Sequence, residues 1–334
     1  MEYKNHYYSL DLFRGFCGYG VAICHLNAFA YQNLFFEYVS FIFVEFFFVL
    51  SGFVLYPQLL KVIDNKSNLF SFYKRRWIRT LPLYFFTLIL VSILTKNLFD
   101  INFFKYFFLI HKFLPNFISN DYYPIAWSLS IEELFYLLFP LILIFLKHNN
   151  FLKICMFIFI IIVLLKYFTS AIFDANFYRT GTFLRFDAIL FGFLISHFKH
   201  VILKYKKFII FFMVIFISTF LLSYKFFTLN KLDPDIRFLF ILFLQLCSGL
   251  ALFSFILLEP LFKYSKIIKK ISLLISQQTY SIYLFHLIII YIVNKSDLSV
   301  YLMTPIYIIL LFLISTLIYN LFEKPLLKLR PKII

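Results

Sequence analysis

A chain of 334 residues that is 63% hydrophobic, with 52 phenylalanines and a mean hydropathy of +0.89, is too apolar for a water-soluble domain, whose apolar share is near one half. Its net charge of +16 would suggest nucleic acid in a soluble chain. Here the basic residues sit in short gaps between apolar runs, where they hold membrane topology, so no nucleic-acid partner is expected. The class is an all-α polytopic membrane protein, and 1–334 reads as one integral-membrane domain with a short basic tail over about 324–334.

Apolar runs of about 17–25 residues number ten: approximately 10–31, 35–58, 78–96, 127–147, 151–171, 182–198, 207–226, 236–258, 274–294 and 301–322. The first, "LDLFRGFCGYGVAICH", carries three ionisable residues. Asp11 and Arg14 are three apart and face one another on a helix. His25 follows Arg14 by eleven residues, about 20° past three full turns, so it shares that face roughly 16 Å further along. Gly18 and Ala22 lie between them, small enough to admit a neighbouring helix or a ligand chain. The competing reading makes the glycines packing contacts and His25 a hydrogen-bonding residue between helices. The first span does not resemble a cleavable signal peptide, because it is long, charged and lacks a small-residue cleavage site.

The second span holds Glu45 and Ser51-Gly52. The loop expected before the third, "FYKRRWIRTLPLYF", places Arg75 and Arg79 four apart with Arg76 adjacent. Arginine forks suit phosphate oxygens, although such a triplet also serves as a topological anchor. The segment "INFFKYFFLIHKF" (101–113) is aromatic, short and basic, and suits an interfacial or re-entrant piece. Glu132 and Glu133 lie in "AWSLSIEELFYLLFP", Arg185 and Asp187 in "FLRFDAILFG", His286 in "TYSIYLFHLIII" and Glu323 in "LFEKPLL". Charges in the hydrocarbon core are costly, so this many embedded polar residues argue for a polar cavity inside the bundle. The four cysteines, Cys17, Cys24, Cys155 and Cys247, all fall in apolar runs and read as small core residues.

Ten spans put both termini on one side. The loops on that side hold 21 lysines and arginines against 8 on the other, which places the termini in the cytoplasm.

Seven segments in order resemble the membrane-bound acyltransferase family 3: "LDLFRGFCGYGVAICHL", "VEFFFVLSGFVL", "RRWIRTLPLYF", "AWSLSIEELFYLLFP", "FLRFDAILFG", "YSIYLFHL" and "FEKP". Glu45 stands where the family often has aspartate. The resemblance covers nearly the whole chain. It implies a ten-helix bundle with cytoplasmic termini in the bacterial inner (plasma) membrane. It also implies an acyl-CoA donor, usually acetyl-CoA, no metal, and a glycan or lipid-linked sugar as acceptor. By the same resemblance His25 is essential, Arg14 supports it, and Arg75, Arg76 and Arg79 engage the donor on the cytoplasmic side. Arg185 is assigned to donor binding with them. Some relatives carry a fused extracytoplasmic domain, and this chain would be a stand-alone form.

A sugar hydroxyl is a poor nucleophile at neutral pH, so its proton needs a base, and a neutral imidazole suits that task. His25 is the candidate. Glu132 or His286 would orient or replace it, and Arg14, paired with Asp11, would place the donor or stabilise the oxyanion. A covalent acyl-histidine is the other route, and the sequence leaves both open. The alternative function is a transporter or flippase without chemistry, since proton-coupled carriers also embed Asp, Glu, His and Arg. Against it stand only seven glycines and no inverted-repeat pattern.

Overall fold

A computed structural model describes residues 6–144, 148–207, 223–224, 227, 233–296 and 299–331. Among the described residues the fold is all-helical, with no strand. The helices are α1 Tyr8–Tyr31, α2 Leu34–Asp64, α3 Asn68–Leu94, α4 Ile101–Phe107, α5 Ala126–Ile144, α6 His148–Thr169, α7 Ala175–Thr180, α8 Phe186–Lys204, α9 Pro234–Tyr264, α10 Lys266–Asn294, α11 Val300–Ile318 and α12 Lys324–Leu327. A 3-10 turn, Phe183–Arg185, leads into α8, and a π turn, Tyr319–Glu323, joins α11 to α12.

Seven stretches of the described residues are long and apolar enough to cross a membrane: Leu34–Asp64, Asn68–Leu94, Asn150–Thr169, Phe183–Lys204, Pro234–Tyr264, Lys266–Asn294 and Tyr301–Leu327. Helices also cover the expected first and fourth spans, as α1 and α5. The expected seventh span, 207–226, lies almost wholly outside the described residues. Several helices outrun the expected boundaries. The 31 residues of α2 extend to roughly 46 Å, well past a hydrocarbon core of about 30 Å. The largest correction concerns α3. The stretch ahead of the expected span at 78 was read as a loop passing into an incipient helix at Arg75 and Arg79, but the helix already begins at Asn68, so Arg75, Arg76 and Arg79 all lie well inside it. A helix satisfies its own backbone wherever it leaves the bilayer, and long arginine stems reach back toward the interface.

Two compact units divide the chain: Met1–Leu50, Phe198–Tyr224 and Phe243–Tyr319 in the first, and Ser51–His197, Lys225–Leu242 and Asn320–Ile334 in the second. In the first unit α1 packs on α10 and α11. Tyr7 gives α1 no side-chain cap. Glu259 of α9 does so instead, accepting from the amides of Tyr8 (3.2 Å) and Ser9 (2.8 Å). A carboxylate there also opposes the positive end of the helix dipole.

In the second unit α6 divides its surface cleanly. Phe157, Ile161, Leu164 and Phe168 form one exposed stripe, suited to lipid. Lys166 is buried and its ammonium meets the Asp187 carboxylate of α8 at 2.5 Å. Gly52 of α2 lies against α8 so closely that a Cβ there would fall 1.9 Å from the Ile189 carbonyl oxygen. That contact explains a glycine in the middle of a long apolar helix. All four cysteines are buried and free of disulfides.

Candidate active site

The seam between α1 and α10 brings together Asp11, Tyr19, His25, Ser276, Gln278 and His286. Small residues on α1 make it close: a Cβ on Gly15 would meet Ile275 Cγ2 at 2.0 Å, and one on Gly18 would meet Thr279 Cγ2 at 2.8 Å. The small stripe between Arg14 and His25 therefore admits a helix. The two helices run parallel, since contacts advance together along both. Ser276 Oγ donates to Asp11 Oδ1 (3.0 Å), Tyr19 donates to Gln278 Oε1 (2.9 Å), and His25 Nδ1 lies 2.8 Å from His286 Nε2. Gln278 in turn donates to Thr316 of α11 (2.7 Å). Asp11 also bonds His6 Nε2 at 2.5 Å, and Arg14 is half-buried.

The histidine pair has a direction. His286 is fully buried, and its Nδ1 lies 2.6 Å from the Tyr283 carbonyl oxygen. A carbonyl only accepts, so His286 Nδ1 carries the hydrogen and, in the neutral ring, Nε2 is the acceptor. His25 Nδ1 must then donate to it. The unprotonated nitrogen of His25 is Nε2, with its ring held from behind by His286. Tyr307 of α11 fixes the backbone around the pair, donating to the carbonyls of Ala22 (3.2 Å) and His286 (3.4 Å). A base oriented by a second group that in turn leans on a third is the geometry of an activated imidazole. When His25 gains a proton at Nε2, His286 Nε2 remains an acceptor for the cation's Nδ1–H.

The other expected residues fall in the second unit. Arg76 of α3 donates to Gln58 Oε1 (2.9 Å) and lies over the Tyr136 ring, 4.9 Å from its centre. Glu132 accepts from Ser51 (2.5 Å) and from Tyr136 (3.2 Å), so α2, α3 and α5 meet in one polar cluster. Arg79 and Glu133 lie within electrostatic reach of Arg76. Arg75 donates to the Pro331 carbonyl (2.7 Å), while Arg330 Nε donates to the Arg75 carbonyl (3.2 Å). Arg185 is fully buried.

Sequence reasoning missed three features. Asp187 was noticed but not joined to Lys166; two embedded opposite charges in consecutive spans were the available signal. Glu259 as the cap of α1 had no sequence signal, because 250 residues separate it from Ser9. The buried His111 in the segment after α4 was passed over.

The described residues thus form apolar helices, seven of them long and apolar enough to cross a membrane, with a hydrogen-bonded histidine pair at the α1–α10 seam. The chain belongs to acyltransferase family 3: the family model described as an acyltransferase domain matches residues 7–320, which contain Asp11, Arg14, His25, the arginine triplet and His286. The chain is similar to the O-acetyltransferase OatA of Staphylococcus aureus, 28% identical over 364 residues, covering 96% of this chain and 57% of that one. It is also similar to an uncharacterized protein of Haemophilus influenzae, 32% identical over 154 residues, covering 41% of this chain and 62% of that one. A putative O-acetyltransferase of S. aureus is 31% identical over 164 residues, or 43% of this chain and 26% of the relative. The chain thus spans about three fifths or less of the length of these relatives. No solved structure matches it.

Proposed function

We propose that this chain is a membrane O-acyltransferase that moves an acyl group, acetyl by preference, from acyl-CoA to a hydroxyl of a cell-surface or lipid-linked sugar. The observation that carries this reading is the directed chain from the Tyr283 carbonyl through His286 to His25. His25 Nε2 takes the proton of the acceptor hydroxyl as its oxygen bonds to the thioester carbon. The carbon–sulfur bond then breaks, and His25 returns the proton to the departing sulfur. His286 is a positioning residue: it holds the tautomer of His25 and accepts from its Nδ1 throughout. Arg14, on the Asp11 end of the seam and roughly 16 Å from His25 along α1, is left the other role, placing the donor.

The donor is a substrate, and the side chains of α3 fit its phosphates. Lys74 is exposed, and Arg75 and Arg79 are half-buried, on one cationic stretch of helix. Arg75, Arg76, Arg79 and Arg185 would hold the donor, the first three through its nucleotide phosphates. Glu132 orients the arginine cluster through Tyr136. The loop-charge count favours ten spans with cytoplasmic termini in a bacterial inner membrane. The parallel course of α1 and α10 supports that parity, because an odd number of crossings must lie between two parallel spans.

The test is incubation of the purified protein with radiolabelled acetyl-CoA and candidate polysaccharides. CoA release with label on the glycan is expected. Glycan translocation without CoA release would make the protein a carrier and overturn the reading.

A further inference from the structure

The segment after α4 is built as a rigid wall. Tyr84 donates to the Tyr106 carbonyl (2.8 Å), Tyr106 donates to Asp121 Oδ1 (2.5 Å), and Lys105 Nζ donates to the Phe117 carbonyl (2.6 Å). The amide of Thr182 donates to the Lys112 carbonyl (3.0 Å), tying this wall to the stretch after α7. Between the two lies a cavity of about 210 Å³, all within the second unit. Its floor includes His111, Phe177 and Thr180, all buried, and its rim includes Asn116 and Asn176, both exposed.

His111 is 1% exposed, lines this cavity, and neither ring nitrogen has a hydrogen-bond partner among the described residues. Buried polar atoms are rarely left so, because each unmet one costs free energy. Burial, with the Lys112 cation beside it, pushes the imidazole pKa down to about 3, so the ring is neutral near pH 7. A neutral imidazole offers one donor and one acceptor, which is what a hydroxyl also offers. Lys112 does not make the site anion-seeking, because its ammonium is matched by Asp121 Oδ2 at 2.8 Å. The cavity has room for one sugar ring.

We propose that this cavity holds one neutral sugar ring, with His111 exchanging hydrogen bonds with its hydroxyls and the rim amides of Asn116 and Asn176 reading the next positions. As the seat of the acceptor it rests on the transferase reading above. As a sugar site it does not.

The experiment uses the full chain in lipid nanodiscs and saturation-transfer NMR. The probes are methyl β-D-glucopyranoside and N-acetylglucosamine, with glucose 6-phosphate and choline as charged comparators. A neutral glycoside is expected to bind, with affinity about tenfold weaker in H111L and in the rim variant N176A, which spares the buried floor. The expected acceptor KM rises more than the donor KM in both variants. Absence of any neutral-glycoside signal, unchanged affinity in N176A and H111L, or preference for the phosphorylated sugar would each overturn the site. The same preparations are assayed for acetyl transfer. Transfer without a sugar signal sinks the cavity and spares the enzyme; a sugar signal without transfer does the reverse.

Discussion

The α1–α10 seam and the cavity beside α4 bury imidazoles in opposite ways. In the seam His286 uses both ring nitrogens, one on the Tyr283 carbonyl and one on His25. In the cavity His111 is just as buried and uses neither among the described residues. A saturated, directed network suits a group that must hold one tautomer and move one proton. An unsatisfied ring suits a group that waits for a ligand's hydroxyls. The same residue type is thus buried with its hydrogen bonds met in one place and unmet in the other.

The largest expected break in this contrast comes from the seam. His25→Ala should lower acetyl transfer by about 10²–10⁴-fold at equal membrane abundance, measured with labelled donor. Retained transfer would move the base elsewhere. Next comes a satisfied pair outside both regions. Lys166→Met removes the ammonium from the fully buried Asp187 carboxylate and should cost about 3–5 kcal/mol in detergent unfolding. The double variant K166M/D187L should regain most of that; equal losses in single and double would remove the pair as a strut. Gly18→Val forces α10 away from α1 and should cost about 1–3 kcal/mol. Transfer should fall more than stability predicts if the histidine spacing depends on this contact.

The smallest effect is a pH dependence from His111. Its folded pKa, about 3, lies below the unfolded value of 6.5. The unfolded chain therefore binds a proton below pH 6.5 that the folded chain does not, and stability falls as the pH drops. At pH 5.5 the loss should be roughly 1.4 kcal/mol. Thermal unfolding of H111Q across pH 7.5 to 5.5 should show a shallower slope, and an identical slope would place the imidazole in water.

Much of the seam was legible in the sequence because helical periodicity is local. Asp11, Arg14, Gly18 and His25 fall on one face by counting alone, and Gly18 does meet a neighbouring helix. What counting lacked was the partner. His286 was one of two residues named to orient His25, with Glu132, but nothing local says which helix lies beside α1; it is α10, and Glu132 bonds Ser51 and Tyr136 instead. The helical start of α3 was missed because hydropathy marks the lipid-facing length, whereas the backbone stays helical beyond it. The cavity was illegible for a different reason. Its walls are held by side chains bonding backbone carbonyls, as Lys105 does to Phe117, and such bonds leave no periodic trace. Only the oddity of a short aromatic, basic stretch pointed there.

The histidine pair joins residues 261 positions apart. At synthesis rates of about 5–20 residues per second, His25 is made roughly 13–50 seconds before its partner leaves the ribosome. During that interval α1, which is not among the seven described stretches long and apolar enough to cross a membrane, carries Asp11, Arg14 and His25 without α10 beside them. The histidine pair therefore forms late, only once α10 has been made.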